Sequence, residues 1–291
     1  MKPVPFGYAR PASVEEAVTL LNHHAPDARA LAGGQSLVPL LNRRLVRPSM
    51  LVDLCRVAGL RHLSRDGNTL RVGALTRHAE VERAHDARLW DGFALLPRVA
   101  ASSGQYPIRT RGTVGGNLAH ADPRSEWCLL SVLLDAEIVI AGPTGTRVLS
   151  AADFILGPYR TALAPDEIVL ELRIPGPLPA AAVRKFSERE GDWAIVAAAA
   201  VVELDERNRV RLVRLALAGA ADRAICLPDV ENLIRGELLE EALLEQVREL
   251  VRKSVDPPGD IHGDPHYRRA LAGALASRAL IAAALENGVP E

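Results

Sequence analysis

The chain is 291 residues long, room for about two domains. Its 35 basic and 36 acidic side chains nearly cancel and no block of one sign occurs, which argues against a surface built for nucleic acid or anionic membrane. Apolar residues make up 48% but aromatics only 4%, so a core has to be packed from aliphatic side chains.

Taken in order, Phe6 to Ala9 reads as a short strand, and Ser13 with Glu16 three residues on has the spacing of a helix start. Val14, Ala17, Val18 and Leu21 then share one helical face, and the segment His23-His24-Ala25-Pro26 ends it. Ala28 to Ala32 is a strand feeding the turn Gly33-Gly34, and Met50 to Leu54 is the next strand. This makes a small β/α unit with glycines at a strand's carboxyl end, where α/β sheets bind ligands. Its spacing, Gly-Gly-x-Ser, is not the dinucleotide fingerprint, and Asp53 at the end of the following strand is a weak candidate for a ribose contact.

Gly59 to Leu75 predicts a hairpin turning at Asp66-Gly67. Thr76 precedes a helical run through Ala84, and Gly92 to Ala101 is a second helix. A second glycine pair follows in the segment Arg111-Gly112-Thr113-Val114-Gly115-Gly116-Asn117. Glu137 to Ala141 and Thr146 to Leu149 form another hairpin, and Ile168 to Ile174 a last strand. The run Ile174-Pro175-Gly176-Pro177-Leu178-Pro179 can continue neither helix nor central strand, and marks a domain boundary. Beyond it come strands at Val183 to Ser187, Ala194 to Leu204 and Val210 to Ala218, then helices at Leu238 to Lys253 and Tyr267 to Leu285. The expected fold is α+β: a first domain over 1–175, itself split near residue 56 into a small β/α unit and a mixed α+β unit, then a C-terminal domain over 180–291 with a three-stranded antiparallel sheet and helices.

Adjacent glycines let consecutive backbone N–H groups face one concavity, which suits the oxygens of a diphosphate. Ser36, Thr113 and Asn117 add small polar side chains beside the two pairs. A single glycine pair is more often a tight turn. Cys55, Cys128 and Cys226 lack the short spacings that hold zinc or an iron–sulfur cluster and read as buried single thiols. None of the eight histidines has a metal-ligand spacing, although His120 and Asp122 just after the second glycine pair are candidate pocket contacts. No apolar run has the length of a signal peptide or a membrane span, so a cytoplasmic location is expected.

The stretch Ala32 to Asp53, AGGQSLVPLLNRRLVRPSMLVD, and the stretch Arg109 to Glu126, RTRGTVGGNLAHADPRSE, resemble the two FAD-contacting segments of the flavoprotein subunit of the molybdenum hydroxylases. This is the xanthine dehydrogenase and aerobic carbon monoxide dehydrogenase family, and the likeness is greatest to the medium subunit of the carbon monoxide dehydrogenase type. It continues to Lys185 and to Asp260 through Arg269, and so covers nearly the whole chain. The resemblance implies a noncovalent FAD with Leu31, Ala32, Gly33, Gly34, Gln35, Ser36 and Leu37 on one side and Thr113, Gly115, Gly116 and Asn117 on the other. It further places Ser125 and Glu126 beside the cofactor, Lys185 near the flavin ring, and Trp193 on a loop over the isoalloxazine, with a solvated lysine and a packing tryptophan as the plainer alternatives. Gln35 and Asn117 stand where the carbon monoxide dehydrogenase type commonly has histidine and aspartate, which sets carbon monoxide itself in doubt as the substrate.

The implied function is electron transfer through FAD. Molybdopterin would reside on a large partner subunit and two [2Fe–2S] clusters on a small one, in a dimer of heterotrimers. An external acceptor, quinone, NAD or oxygen, would take the electrons. A free-standing flavoprotein of the same fold is the alternative.

Overall fold

The computed structural model describes residues 2–286. Its first unit is a parallel sheet in the order β1-β3-β2, from β1 (Gly7–Ala9), β2 (Ala28–Leu31) and β3 (Met50–Asp53). Helix α1 (Val14–His23) crosses between β1 and β2 and buries the expected face, Ala17, Val18 and Leu21. Ser13 Oγ accepts from Glu16 N at 3.1 Å, while the Glu16 carboxylate reaches back to Ala12 N at 2.8 Å, one residue before the cap. Helix α2 (Leu37–Asn42) begins directly after the first glycine turn.

The second unit is an antiparallel sheet in the order β4-β5-β10-β6-β7. Here β4 (Leu63–Asp66) and β5 (Thr69–Gly73) form the expected first hairpin, and β6 (Glu137–Gly142) and β7 (Gly145–Ser150) the second. Between β5 and β6 run six helices: α3 (His78–Arg83), α4 (Ala87–Trp90), α5 (Leu95–Ser102), α6 (Tyr106–Arg109), α7 (Val114–His120) and α8 (Glu126–Leu133). A short helix α9 (Ala151–Phe154) and a two-stranded ribbon, β8 (Ile155–Gly157) with β9 (Arg160–Thr161), lead into β10 (Ile168–Pro175).

Sequence reading assigned no element to α7 or α8. Every residue of α8 is buried, so it carries no polar stripe from which a helical period can be read. In α7 the two glycines and the asparagine are poor helix formers, and tertiary contact imposes the helix.

The third unit holds β11 (Ala181–Phe186), β12 (Val196–Leu204), β13 (Val210–Ala218) and β14 (Ile225–Cys226), antiparallel throughout. The fourth strand adds two residues to the three-stranded sheet expected, too few for any alternation to register. Helices α10 (Pro228–Ile234), α11 (Glu241–Ser254) and α12 (Pro265–Leu285) complete it, α10 having been missed. The alanines of β12 lie between two cores. Ala197 and Ala199 pack with the side holding Trp127 and Leu130, whereas Ala198 and Ala200 pack with the side holding Ala276 and Leu280. Small side chains on both faces let α8 and α12 approach one strand from opposite sides.

The proline-rich segment between β10 and β11 is tied down, Leu178 N donating to Gly92 O at 2.8 Å. The expectation of three buried thiols is met by Cys128 alone. Cys55 is exposed and Cys226 half-buried.

Candidate cofactor cleft

A cleft of about 900 Å³ runs between the first unit, the second unit and the loop before β12. Its size lies in the range of small-molecule and cofactor sites. Ala32, Gly33, Gly34, Gln35, Ser36 and Leu37 line one side, and Thr113, Gly115, Gly116 and Asn117 another. Glu126 and Trp193 also line it, as do His78, His120 and Tyr159.

The two glycine segments touch each other. A Cβ on Gly33 would lie 2.1 Å from Arg111 O, so only glycine permits this approach of β2's end to the loop before α7. Gly34 has φ +73°, a left-handed conformation that reverses the chain into α2. Among the described residues, no hydrogen bond takes up the backbone N–H of Gly34, Gln35, Ser36 or Leu37, and Ser36 does not cap α2 with its side chain. Four consecutive donors are therefore unspent on this wall. They fit the oxygens of a diphosphate.

The opposite wall differs. Val114 N donates to Thr76 O at 3.0 Å, Gly115 N to Ala74 O at 2.9 Å and Asn117 N to Thr113 O at 3.0 Å. Gly116 N donates to Thr113 Oγ1 at 3.1 Å. The backbone donors that open α7 are all committed, and a Cβ on Gly115 would lie 2.5 Å from the Ala74 Cβ. Gly115 is thus a close-approach glycine that seats α7 on residues 74–76. Among the described residues, the groups left free on this wall to meet a ligand are the Thr113 N–H and side chains. Asn117 is one, its Oδ1 taking the Ser125 hydroxyl proton and its amide NH₂ meeting no partner among the described residues.

Four of the residues expected at the site do not line the cleft, namely Leu31, Asp122, Ser125 and Lys185. Leu31 is the last residue of β2. Asp122 is buried under Arg124, with Nε 3.2 Å from Oδ1, and accepts from Tyr159 Oη at 3.2 Å. Ser125 caps α8, accepting from Cys128 N at 3.0 Å, and orients Asn117 with its own proton. Lys185 Nζ donates to Glu126 Oε1 at 2.6 Å and to Ser102 O at 3.2 Å. Burial pushes the Glu126 carboxyl above the usual carboxylate range, and the Lys185 ammonium opposes that shift.

Asp53 does not line the cleft, and its carboxylate is engaged by Tyr8 Oη, by Cys55 N at 2.9 Å and by Arg10 Nε at 3.2 Å. At the cleft mouth Trp193 is 40% exposed, with the Arg124 guanidinium 5.7 Å from its ring. The His120 and Tyr159 rings lie 5.1 Å apart, and burial lowers the His120 pKa.

His78 was not singled out from the sequence. It lies on α3 with 4% exposure, its ring 5.8 Å from that of Trp127 and 20° from parallel. Its Nδ1 is enclosed without a partner, and burial with the nearby Arg109 charge lowers its pKa to about 4. A histidine followed two residues on by the Glu80 of a helix start gives no sequence signal of this kind. Among the described residues, no group of three His, Cys, Asp or Glu side chains is placed to hold a metal ion, and no helix is long and apolar enough to cross a membrane.

A large cleft with a run of unspent backbone donors on one wall and aromatic rings at its mouth is suited to an extended cofactor that carries a diphosphate. Family comparison agrees: residues 4–177 match the FAD binding domain in molybdopterin dehydrogenase, and residues 181–283 match the CO dehydrogenase flavoprotein C-terminal domain. The chain belongs to this family, as an FAD-binding flavoprotein of the medium-subunit type. It is 36% identical to the 6-hydroxypseudooxynicotine dehydrogenase complex subunit alpha of Paenarthrobacter nicotinovorans, covering 100% of this chain and 98% of that one. With the carbon monoxide dehydrogenase medium chain of Hydrogenophaga pseudoflava it shares 34% identity over 97% and 98% of the two chains. A chain of quinoline 2-oxidoreductase from Pseudomonas putida 86 superposes with a TM-score of 0.93 at 37% identity, covering 98% and 99%.

Proposed function

We propose that this chain is the electron-transfer flavoprotein of a three-subunit hydroxylase. Electrons from substrate oxidised on a large molybdopterin subunit arrive through the [2Fe–2S] clusters of a small subunit and leave to an external acceptor such as a quinone, NAD or oxygen. The assembly is a dimer of heterotrimers in the cytoplasm. Residues 1–175 hold the cofactor, and residues 180–291 form a C-terminal domain that brings the Trp193 loop to the cleft mouth. The observation that carries this reading is the run of unspent donors from Gly34 to Leu37 along one wall of the cleft.

Bound FAD supplies the one- and two-electron chemistry. The chain's residues bind and orient. Gly34 to Leu37 would hold the diphosphate, Asn117 would meet the cofactor from the opposite wall, and Trp193 would restrict access at the mouth. Relatives with this architecture include a carbon monoxide dehydrogenase chain and a caffeine dehydrogenase subunit. Chains so alike serve substrates so different when substrate choice rests on another subunit.

The test is reconstitution. The isolated chain should bind FAD, have its flavin bleached by dithionite, and be inert toward hydroxylase substrates. Adding a large molybdopterin subunit and a small [2Fe–2S] subunit from the same source should restore substrate-dependent bleaching. Rapid flavin reduction by an organic substrate in the isolated chain would make it an independent oxidoreductase.

A further inference from the structure

The wall formed by α3 and α7 has a shortage of donors. The N–H groups of Val114, Gly115, Gly116 and Asn117 are all used within the chain. A cofactor lying between the two glycine segments can meet this wall through the Thr113 N–H, which takes no partner among the described residues, and otherwise through side chains. Asn117 offers its amide, and His78 also lines the cleft.

His78 is built in from three directions. Its N–H donates to Gly112 O at 3.1 Å, and Arg77 bridges to Thr113 beside it, so α3 is stitched to the second glycine segment. The ring lies against Gly112, where a Cβ would come within 3.0 Å of Cδ2 and Nε2. Trp127 stacks on it. Within that frame Nδ1 is enclosed without a partner, and among the described residues no side chain or carbonyl bonds to the ring, so Nε2, which is not enclosed, is the nitrogen that can meet a ligand in the cleft. A buried polar ring kept unsatisfied is costly, and native interiors rarely retain one without a partner that completes it.

We propose that His78 contacts the cofactor, donating an uncharged ring N–H to an oxygen of bound FAD on the wall where α7 has no backbone donor to give. The inference rests on the FAD-binding reading above. A neutral imidazole carries one donor and one acceptor, so it recognises an oxygen without adding a charge. Burial and Arg109 keep it neutral throughout the physiological range. The competing account is a histidine that merely packs beneath the second glycine segment.

The two are separated by titrating the deflavinated full chain with FAD, followed by flavin fluorescence. His78→Phe keeps a ring to stack on Trp127 and removes both nitrogens. It should raise the FAD dissociation constant about tenfold, the worth of one neutral hydrogen bond, with no fall in the melting temperature of the apo-chain. His78→Gln, which restores a donor, should bind within a few-fold of the unmodified chain. In ¹⁵N-histidine NMR of the unmodified chain, the His78 ring nitrogens should move on adding FAD while the ring stays neutral at pH 6. Unchanged FAD affinity in His78→Phe would overturn the proposal, as would His78 resonances that ignore FAD. Should His78→Phe fail to fold, the NMR measurement decides alone. If the unmodified chain itself shows no affinity for FAD, the cofactor reading falls and this contact with it.

Discussion

Lys185 Nζ lies 2.6 Å from Glu126 Oε1, and the two side chains are 13% and 3% exposed. The lysine comes from β11 and the glutamate from the first turn of α8, so one ion pair ties the C-terminal sheet to the wall of the cofactor cleft. Glu126 at a helix N-terminus is also favoured by the dipole. The lone cation expected beside the flavin is instead half of a neutral pair.

Breaking that pair should be expensive. Lys185→Met leaves a buried carboxylate without its cation and is expected to cost about 3–5 kcal/mol in urea unfolding. The double variant Lys185→Met/Glu126→Gln should recover most of the loss. A Lys185→Met variant as stable as the unmodified chain would mean that water, not Lys185, supports Glu126.

The same pair makes a redox prediction with opposite signs. Lys185→Met leaves net negative charge at the cleft wall and should lower the flavin potential, whereas Glu126→Gln leaves net positive charge and should raise it. Redox titration of the two variants reads this directly. Shifts of the same sign, or none, would place the pair's field away from the flavin.

His78 makes stability depend on acid. Unfolded, the imidazole protonates near 6.5, and folded at about 4, so between these values the unfolded chain binds the extra proton. Its contribution is present in full above pH 6.5 and is lost as pH falls toward 4. The difference is worth about 3 kcal/mol at 1.36 kcal/mol per pKa unit. Urea midpoints of His78→Gln between pH 7 and 4.5 should fall less steeply than those of the unmodified chain. Parallel curves would show that His78 titrates as it does in solution.

The glycines can be tested by steric demand. Gly33→Ala puts a Cβ 2.1 Å from Arg111 O, against backbone, and should force the two segments apart, costing about 1–3 kcal/mol and at least ten-fold in FAD affinity. Gly34→Val imposes φ +73° on a β-branched residue, and Gly116→Val displaces the Thr113 Oγ1 cap, 2.8 Å from the new Cβ. Each should abolish FAD binding while the chain still folds. Either variant binding FAD normally would reduce that loop to a turn.

Trp193 separates stacking from packing. It is 40% exposed and belongs to neither buried core, so Trp193→Ala should change stability by about 0.5 kcal/mol or less. Loss of its ring over the cleft mouth should raise the fluorescence of bound flavin. Unaltered fluorescence with a clear drop in stability would identify it as a packing residue.

The strands, both hairpins and the long helices were legible from the chain because their signals are local. Asp66-Gly67 turns where expected, and Val210 to Ala218 is a strand with the boundaries expected. The motif Gly33-Gly34 pointed to a concavity with free backbone N–H groups, and these residues do line a cleft. Where a residue is buried on every side, that logic stops. α8 has no polar face and β14 no room to alternate, so neither announces itself.

The sequence by itself determined the family and the cofactor class, because two of its segments, each carrying a glycine pair beside small polar residues, resemble the FAD-contacting segments of the molybdenum hydroxylases. Only the tertiary structure decided what each group has left to offer. A backbone N–H is a donor or is spent according to the carbonyl that packs on it, and Thr76 O and Ala74 O lie far from Val114 and Gly115 in the chain. The same holds for charge and for burial. Lys185 is neutralised by a glutamate 59 residues away, and His78 is held uncharged by Trp127 and Arg109, contacts that chain folding alone brings together.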